Sequence, residues 1–163
     1  MKLTSAKQML SIAIAFMALV AVGCKKDGSQ VEKINDDLIG KWAVQSNHII
    51  YFDQTGQKEY EEVLVANGLA TNVSFVKGAK AKIETQDSTI VNTPYNLAEE
   101  RSLIYMKLND AEIFNARVWT LTDVTKNEMT WQTNFTNIKY EDKDTGEILE
   151  APKAELTLKF YKE

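Results

Sequence analysis

His48 is the only histidine and Cys24 the only cysteine in 163 residues, so few positions could carry reactive chemistry. A Ser-His-acid triad would have to use His48, and a zinc site would have one imidazole supplemented by carboxylates. No Gly-x-Ser-x-Gly elbow, His-Glu-x-x-His pair or glycine-rich phosphate loop accompanies it. The acidic pairs Glu61-Glu62 and Glu99-Glu100 are adjacent in sequence. On a strand such neighbours point to opposite faces and cannot act as an acid–base pair. Lys77, Lys80 and Lys82 form a short basic run, with Glu84 and Asp87 nearby, and read as a solvated face. The expectation is therefore a protein that is not an enzyme and holds no metal or cofactor, with His48 as a partly buried strand residue.

Arg117 is the more informative charged residue. In the segment 112–122, Ile113, Asn115, Arg117, Trp119 and Leu121 alternate onto one face, which places a guanidinium among apolar side chains. A buried charge needs compensation. The candidates are a carboxylate, the face of Trp42 or Trp119, or an anionic ligand. A register slip of one residue would turn Arg117 outward.

The elements that must position these residues read as strands. From residue 41 onward the dominant period is two: 41–52, 57–65, 71–84 broken at Lys77-Gly78, 88–93 ending at Pro94, 101–108, 112–122, 128–140 and 154–162. Residues 95–100 read as irregular. Asp53-Gln54-Thr55-Gly56, Ala66-Asn67-Gly68, Asn109-Asp110 and Asp144-Thr145-Gly146 supply turn chemistry. On the first strand Trp42, Val44, Ser46, His48, Ile50 and Phe52 share a face. On the last strand Leu156, Leu158 and Phe160 do, leaving Lys159 outward. Short strands with one apolar face each argue for an all-β sandwich or barrel, and closure removes exposed edges. With 44% hydrophobic residues, one cysteine and net charge −4, the chain is neither disordered nor disulfide-stapled, and it lacks a basic surface for nucleic acid.

The N-terminus carries an address. Lys2 and Lys7 precede a nearly continuous apolar run from Met9 to Val22, too short for a comfortable membrane span, followed by Ala21-Val22-Gly23-Cys24. This ending resembles the lipobox of bacterial lipoproteins, with Ala21 where leucine is commonest. The resemblance implies cleavage before Cys24, a diacylglycerol on its sulfur and an acylated amine. Several acyl chains make a durable anchor where one holds only marginally. Residues 1–23 are then the signal peptide and 24–36 the lipidated cysteine with a polar, flexible tether. Lys25, where an aspartate would signal inner-membrane retention in Gram-negative lipoproteins, points to the outer membrane of a bacterial envelope. Losing two lysines and no acids with the signal makes the mature chain more acidic still.

Gly40-Lys41-Trp42 opens the first strand and is similar to the G-x-W signature of the lipocalin superfamily. With Asp37-Leu38-Ile39 before it, Trp119-Thr120-Leu121-Thr122-Asp123, Met129-Thr130-Trp131 and Leu156-Thr157-Leu158-Lys159-Phe160, it resembles small lipocalin-like domains of bacterial lipoproteins across residues 37–162. The resemblance implies, for residues 37–163, an antiparallel up-and-down β-barrel of about eight strands, with Gly40 and Trp42 closing one end. It also implies a basic side chain packed on Trp42, assigned here to Arg117 in preference to the outward Lys159. The expected function is binding of a small, partly hydrophobic ligand by a lipid-anchored envelope protein, with His48, Ile50, Phe52, Trp119 and Trp131 as interior contacts. The alternative is a packed barrel that serves as a protein- or glycan-interaction module, with Tyr60 and Tyr95 as exposed aromatics.

Overall fold

Turn signals and alternation from Gly40 onward resolve into nine strands in the computed structural model, which describes residues 30–64 and 69–163. A helix α1, Gln30–Leu38, comes first. It is followed by β1 Gly40–Phe52, β2 Lys58–Glu62, β3 Ala70–Val76, β4 Lys80–Thr85, β5 Ile90–Glu100, β6 Leu103–Leu108, β7 Val118–Thr122, β8 Glu128–Glu141 and β9 Ile148–Lys162. All neighbours pair antiparallel. Because β1 pairs with both β3 and β9, β3 to β9 together with β1 close an eight-stranded up-and-down barrel, the closed form of the two that the alternation left open and the one the lipocalin resemblance implied. β2 lies outside that ring, paired to the second half of β1.

The interior is built from alternate residues. Trp131 lies at its centre, with ring centroids 5.7 Å from Trp119, 4.7 Å from Phe160 and 6.1 Å from Phe75. Phase changes in this alternation decide what faces where. Opposite β9, β1 shifts register between Val44 and Ser46, so Gln45 is an extra residue, a β-bulge. Before it Trp42 faces in. After it Ile49 and Tyr51 are buried, while Ile50 and Phe52 are only half-buried. A second phase change lies where Asn137, with φ 53°, sits across from Pro152. It puts Tyr140 and Ala151 on the buried side of the β8–β9 ribbon.

The local chemistry differs from expectation at three places. Residues 30–36, read as tether, are helical: Val31, Ile34 and Leu38 fall on one face, and Ile34 and Leu38 are buried against the barrel end. β5 runs through Pro94 to Glu100. Pro94 needs no donor there, and its carbonyl accepts from Asn109 N at 2.9 Å. Residues 109–117 form a loop, with Phe114 and Asn115 at positive φ in a tight turn between Ile113 and Ala116. The Ala66-Asn67-Gly68 turn and the signal-peptide and Cys24 readings fall outside the described residues.

Candidate functional site

Gly40, Trp42 and Lys162 come together at one end of the barrel. Trp42 is fully buried and its Nε1 donates to the Leu38 carbonyl at 2.7 Å, tying α1 to β1. Asn35 on the same helix accepts from the Tyr95 hydroxyl at 2.8 Å. Lys162 Nζ lies 4.9 Å from the centroid of the Trp42 ring and donates to the Asp37 carbonyl at 2.9 Å. Gly40 makes this approach feasible. Its φ is 135°, and a Cβ there would sit 2.6 Å from Lys162 Cε.

Arg117 is not the cation on Trp42. The turn at Phe114-Asn115 interrupts the alternation from which its inward orientation followed, and β7 begins only at Val118. Arg117 is exposed, with Nε 2.7 Å from Glu112 Oε1. The residue that takes the role, Lys162, extends the even-numbered row of Leu156, Leu158 and Phe160. That row carried the signal by which it could be found.

The predicted ligand contacts do not converge. Trp119 and Trp131 face the interior, fully buried and in contact with each other. His48, Ile50 and Phe52 face outward, because the bulge at Gln45 reverses the alternation between Trp42 and Ile49. Phe52 is covered on the outside by Lys153, whose Nζ stands 4.8 Å from the ring centroid. His48 Nδ1 lies 3.5 Å from Glu61 Oε1 on the surface. Tyr95, expected at a loop tip, is buried against Phe75, with centroids 5.1 Å apart. Tyr60 is half-buried and stacks on Tyr140 at 5.6 Å, which stacks on Tyr51 at 4.1 Å. Burial and the Glu62 carboxylate push the Tyr51 phenol well above its ordinary range.

The bulge has a second consequence, in the barrel wall. On the edge away from β9, β1 pairs with β3 through Gly40–Ala43 and with β2 through Ile49–Phe52. Between these ladders Val44 to His48 have no strand partner on that edge among the described residues. The wall opens there into a cleft of about 380 Å³, lined by Val44, Gln45, Ser46, Asn47, His48, Val63, Ala70, Thr71 and Gln86. Asn47 Oδ1 is shielded from solvent and has no hydrogen-bond partner. A buried acceptor left unpaired costs stability and marks a place where a donor would be gained. Apart from His48, the polar lining is neutral amide and hydroxyl, flanked by the aliphatic Val44, Val63 and Ala70. Such a surface suits an uncharged molecule with hydrogen-bonding groups and an apolar part. The bulge that creates it leaves no clear trace in the sequence, since Ile49-Ile50-Tyr51-Phe52 is apolar in both phases. Among the described residues no cluster of His, Cys, Asp and Glu is placed to hold a metal ion, and no helix is long and apolar enough to cross a membrane.

Neither family models nor curated proteins match the chain. Among solved structures it is similar to a lipocalin-like protein from Bacteroides uniformis, at 15% identity and a TM-score of 0.37, over 78% of this chain and 99% of that one.

Proposed function

We propose that this chain is a lipid-anchored protein of the bacterial cell envelope, held in the outer membrane through Cys24, whose lipocalin-like barrel binds a small, partly hydrophobic ligand. Binding, rather than catalysis, is the activity of this reading. The observation that carries it is the open seam between β1 and β3, where the unpartnered Asn47 Oδ1 and neutral polar groups adjoin Val44, Val63 and Ala70. The packing of Trp131 against Trp119, Phe75 and Phe160 moves the expected site from the barrel axis to this seam, and of the predicted contacts only His48 remains part of it.

Two experiments test the two halves of the reading. Cys24→Ala is expected to move the protein from the membrane to the soluble fraction; retention in the membrane refutes the anchor. Native mass spectrometry of the purified protein is expected to show a co-purifying small molecule that Ser46→Trp removes without lowering the melting temperature. A molecule retained in Ser46→Trp refutes the seam as the site.

A further inference from the structure

The lysine run 77–82 acquires a definite setting in the fold. Lys77 lies in the β3–β4 turn, and Lys80 and Lys82 point outward from β4. The turn is at the same end of the barrel as α1, since Gly40 at the start of β1 pairs with Phe75, just before it. All three lysines are exposed, and none has an ion-pair partner among the described residues. Lys80 and Lys82 line an apolar groove of about 430 Å³ that includes Val76, next to Lys77 in the chain, and Pro94, with Val76 51% exposed.

The groups sharing this outer face are few. Lys80 is paired with Pro94, Lys82 with Asn92 and Ser74, and Ser74 in turn with Lys41. Lys41 is the one occupied cation, 3.3 Å from Glu163. Glu84 is the nearest carboxylate along β4, two positions beyond Lys82 and toward the opposite end. Asp87 is further still, and its carboxylate is taken up by Thr85 and Thr89. Glu84 therefore shares the outer face with Lys82 without an ion pair to it, and three lysines against this one carboxylate along the β3–β4 hairpin leave a local cationic, apolar face on an otherwise acidic protein.

We infer that this β3–β4 face docks on the anionic phospholipid headgroups of the membrane that carries the anchor. The inference rests on the reading of Cys24 as lipidated. Six Cα–Cα steps lead from Cys24 to Gln30, where α1 begins. They span at most about 22 Å whatever their conformation, so the α1 end of the barrel is held next to the bilayer and the far end is not. Clustered lysines within a Debye length of an anionic surface add attraction to that tethering. Val76 and the Pro94 groove supply apolar contact at the headgroup boundary.

The test uses the full-length lipidated protein in phosphatidylcholine vesicles with or without phosphatidylglycerol. Fluorophores are placed singly at Asn92→Cys, on the proposed face, or Thr145→Cys, at the other end, and lipid-borne quenchers report proximity. In anionic vesicles quenching at position 92 is expected to exceed that at 145 by about threefold or more. It should fall toward the value at 145 when Lys77, Lys80 and Lys82 are all changed to glutamate, and in high salt. Equal quenching at both positions, unchanged quenching in the triple variant, or the same quenching in neutral vesicles overturns the inference. So does protection of the Asn92→Cys label in whole envelopes but not in vesicles, which assigns the face to a protein partner. Intact mass reports acylation separately: an unmodified Cys24 is failure of the anchor reading, whereas a lipidated protein with equal quenching is failure of the docking face alone.

Discussion

Gly40→Ala should destabilise the protein through Lys162 as well as through the backbone. The backbone term arises because φ 135° is open to glycine and strained for any residue with a Cβ, costing about 1–3 kcal/mol. The second term is steric. The new methyl would stand 2.6 Å from Lys162 Cε, so the lysine stem must move off the indole. Moving it forfeits the cation–π contact at 4.9 Å, about 0.5–1 kcal/mol at a partly solvated site, and weakens the bond to the Asp37 carbonyl, about 1 kcal/mol after solvent compensation. The total is about 2–5 kcal/mol, and at about 2–4 °C per kcal/mol for a chain of this size the melting temperature falls by about 5–15 °C. Urea unfolding of wild type, Gly40→Ala, Lys162→Ala and the double variant closes a cycle. With the stem removed only the backbone term survives, so the double variant should lose about 1–2 kcal/mol less than the sum of the singles. Additivity within about 0.5 kcal/mol would show that Gly40 makes no room for Lys162 and would refute the steric part of the argument.

Four further outcomes follow from the same geometry. Trp42→Phe removes the Nε1 bond to Leu38 and leaves a small cavity at the α1 junction, for a loss of about 2–4 kcal/mol in urea unfolding and faster amide exchange in residues 30–38. Arg117→Gln touches only an exposed pair with Glu112 and should change stability by less than about 1 kcal/mol; a loss of several kcal/mol would restore an inward role for Arg117. Deleting Gln45 removes the extra residue and makes Val44–Phe160 and Ser46–Lys159 successive pairs, so Trp42, Ile49 and Tyr51 all stay inward and the loss should be below the about 3 kcal/mol that turning Ile49 and Tyr51 outward would cost; a deletion that abolishes folding refutes the bulge. Tyr51 should make stability fall at high pH. Burial and then Glu62 raise its folded pKa above the ordinary 10.0, so its contribution is complete below about pH 10 and is lost as pH rises toward the folded value. Tyr51→Phe should flatten the alkaline decline in unfolding midpoint, and an unchanged slope refutes that assignment.

Which parts of this were legible in the sequence depends on whether period two is continuous. Along residues 154–162 it is, and β9 presents Leu156, Leu158 and Phe160 inward as the pattern says; β7 and β8 do the same for Trp119, Leu121, Met129 and Trp131. Architecture follows from such runs, because each strand with one apolar face must share it with the others. Site geometry does not, because it depends on the places where the period breaks. One extra residue at Gln45 moved His48, Ile50 and Phe52 outside the barrel, and a turn at Phe114-Asn115 took Arg117 out of its supposed row. Neither break is marked by glycine or proline. The helix over residues 30–38 was legible in the spacing of Val31, Ile34 and Leu38, but a polar composition disguised it as tether.

The irregularities that defeat the pattern are also where binding capacity is placed. A barrel with full ladders on every strand has no unpaired edge, and this one departs from that condition at the three-pair β7–β8 ladder and on one side of β1. There four residue pairs join β1 to β3, against ten joining it to β9. The α1 end is fastened by Trp42, Leu38 and Lys162, and Phe75, Trp119 and Phe160 pack around Trp131 in the interior. What remains is the short ladder and the gap beside it, where Asn47 presents an acceptor with no donor. A ligand seated there would span the gap between the β1–β3 and β1–β2 ladders, contacting β1 on one side and β3 on the other. Its binding should therefore be linked to closure of the seam: amide exchange at Asn72, Val73 and Ser74 should slow on ligand addition, while residues deep in the β8–β9 ladder stay unchanged. Uniform slowing across all strands would mean stabilisation of the whole fold instead, and would separate binding elsewhere from bridging of the β1–β3 gap.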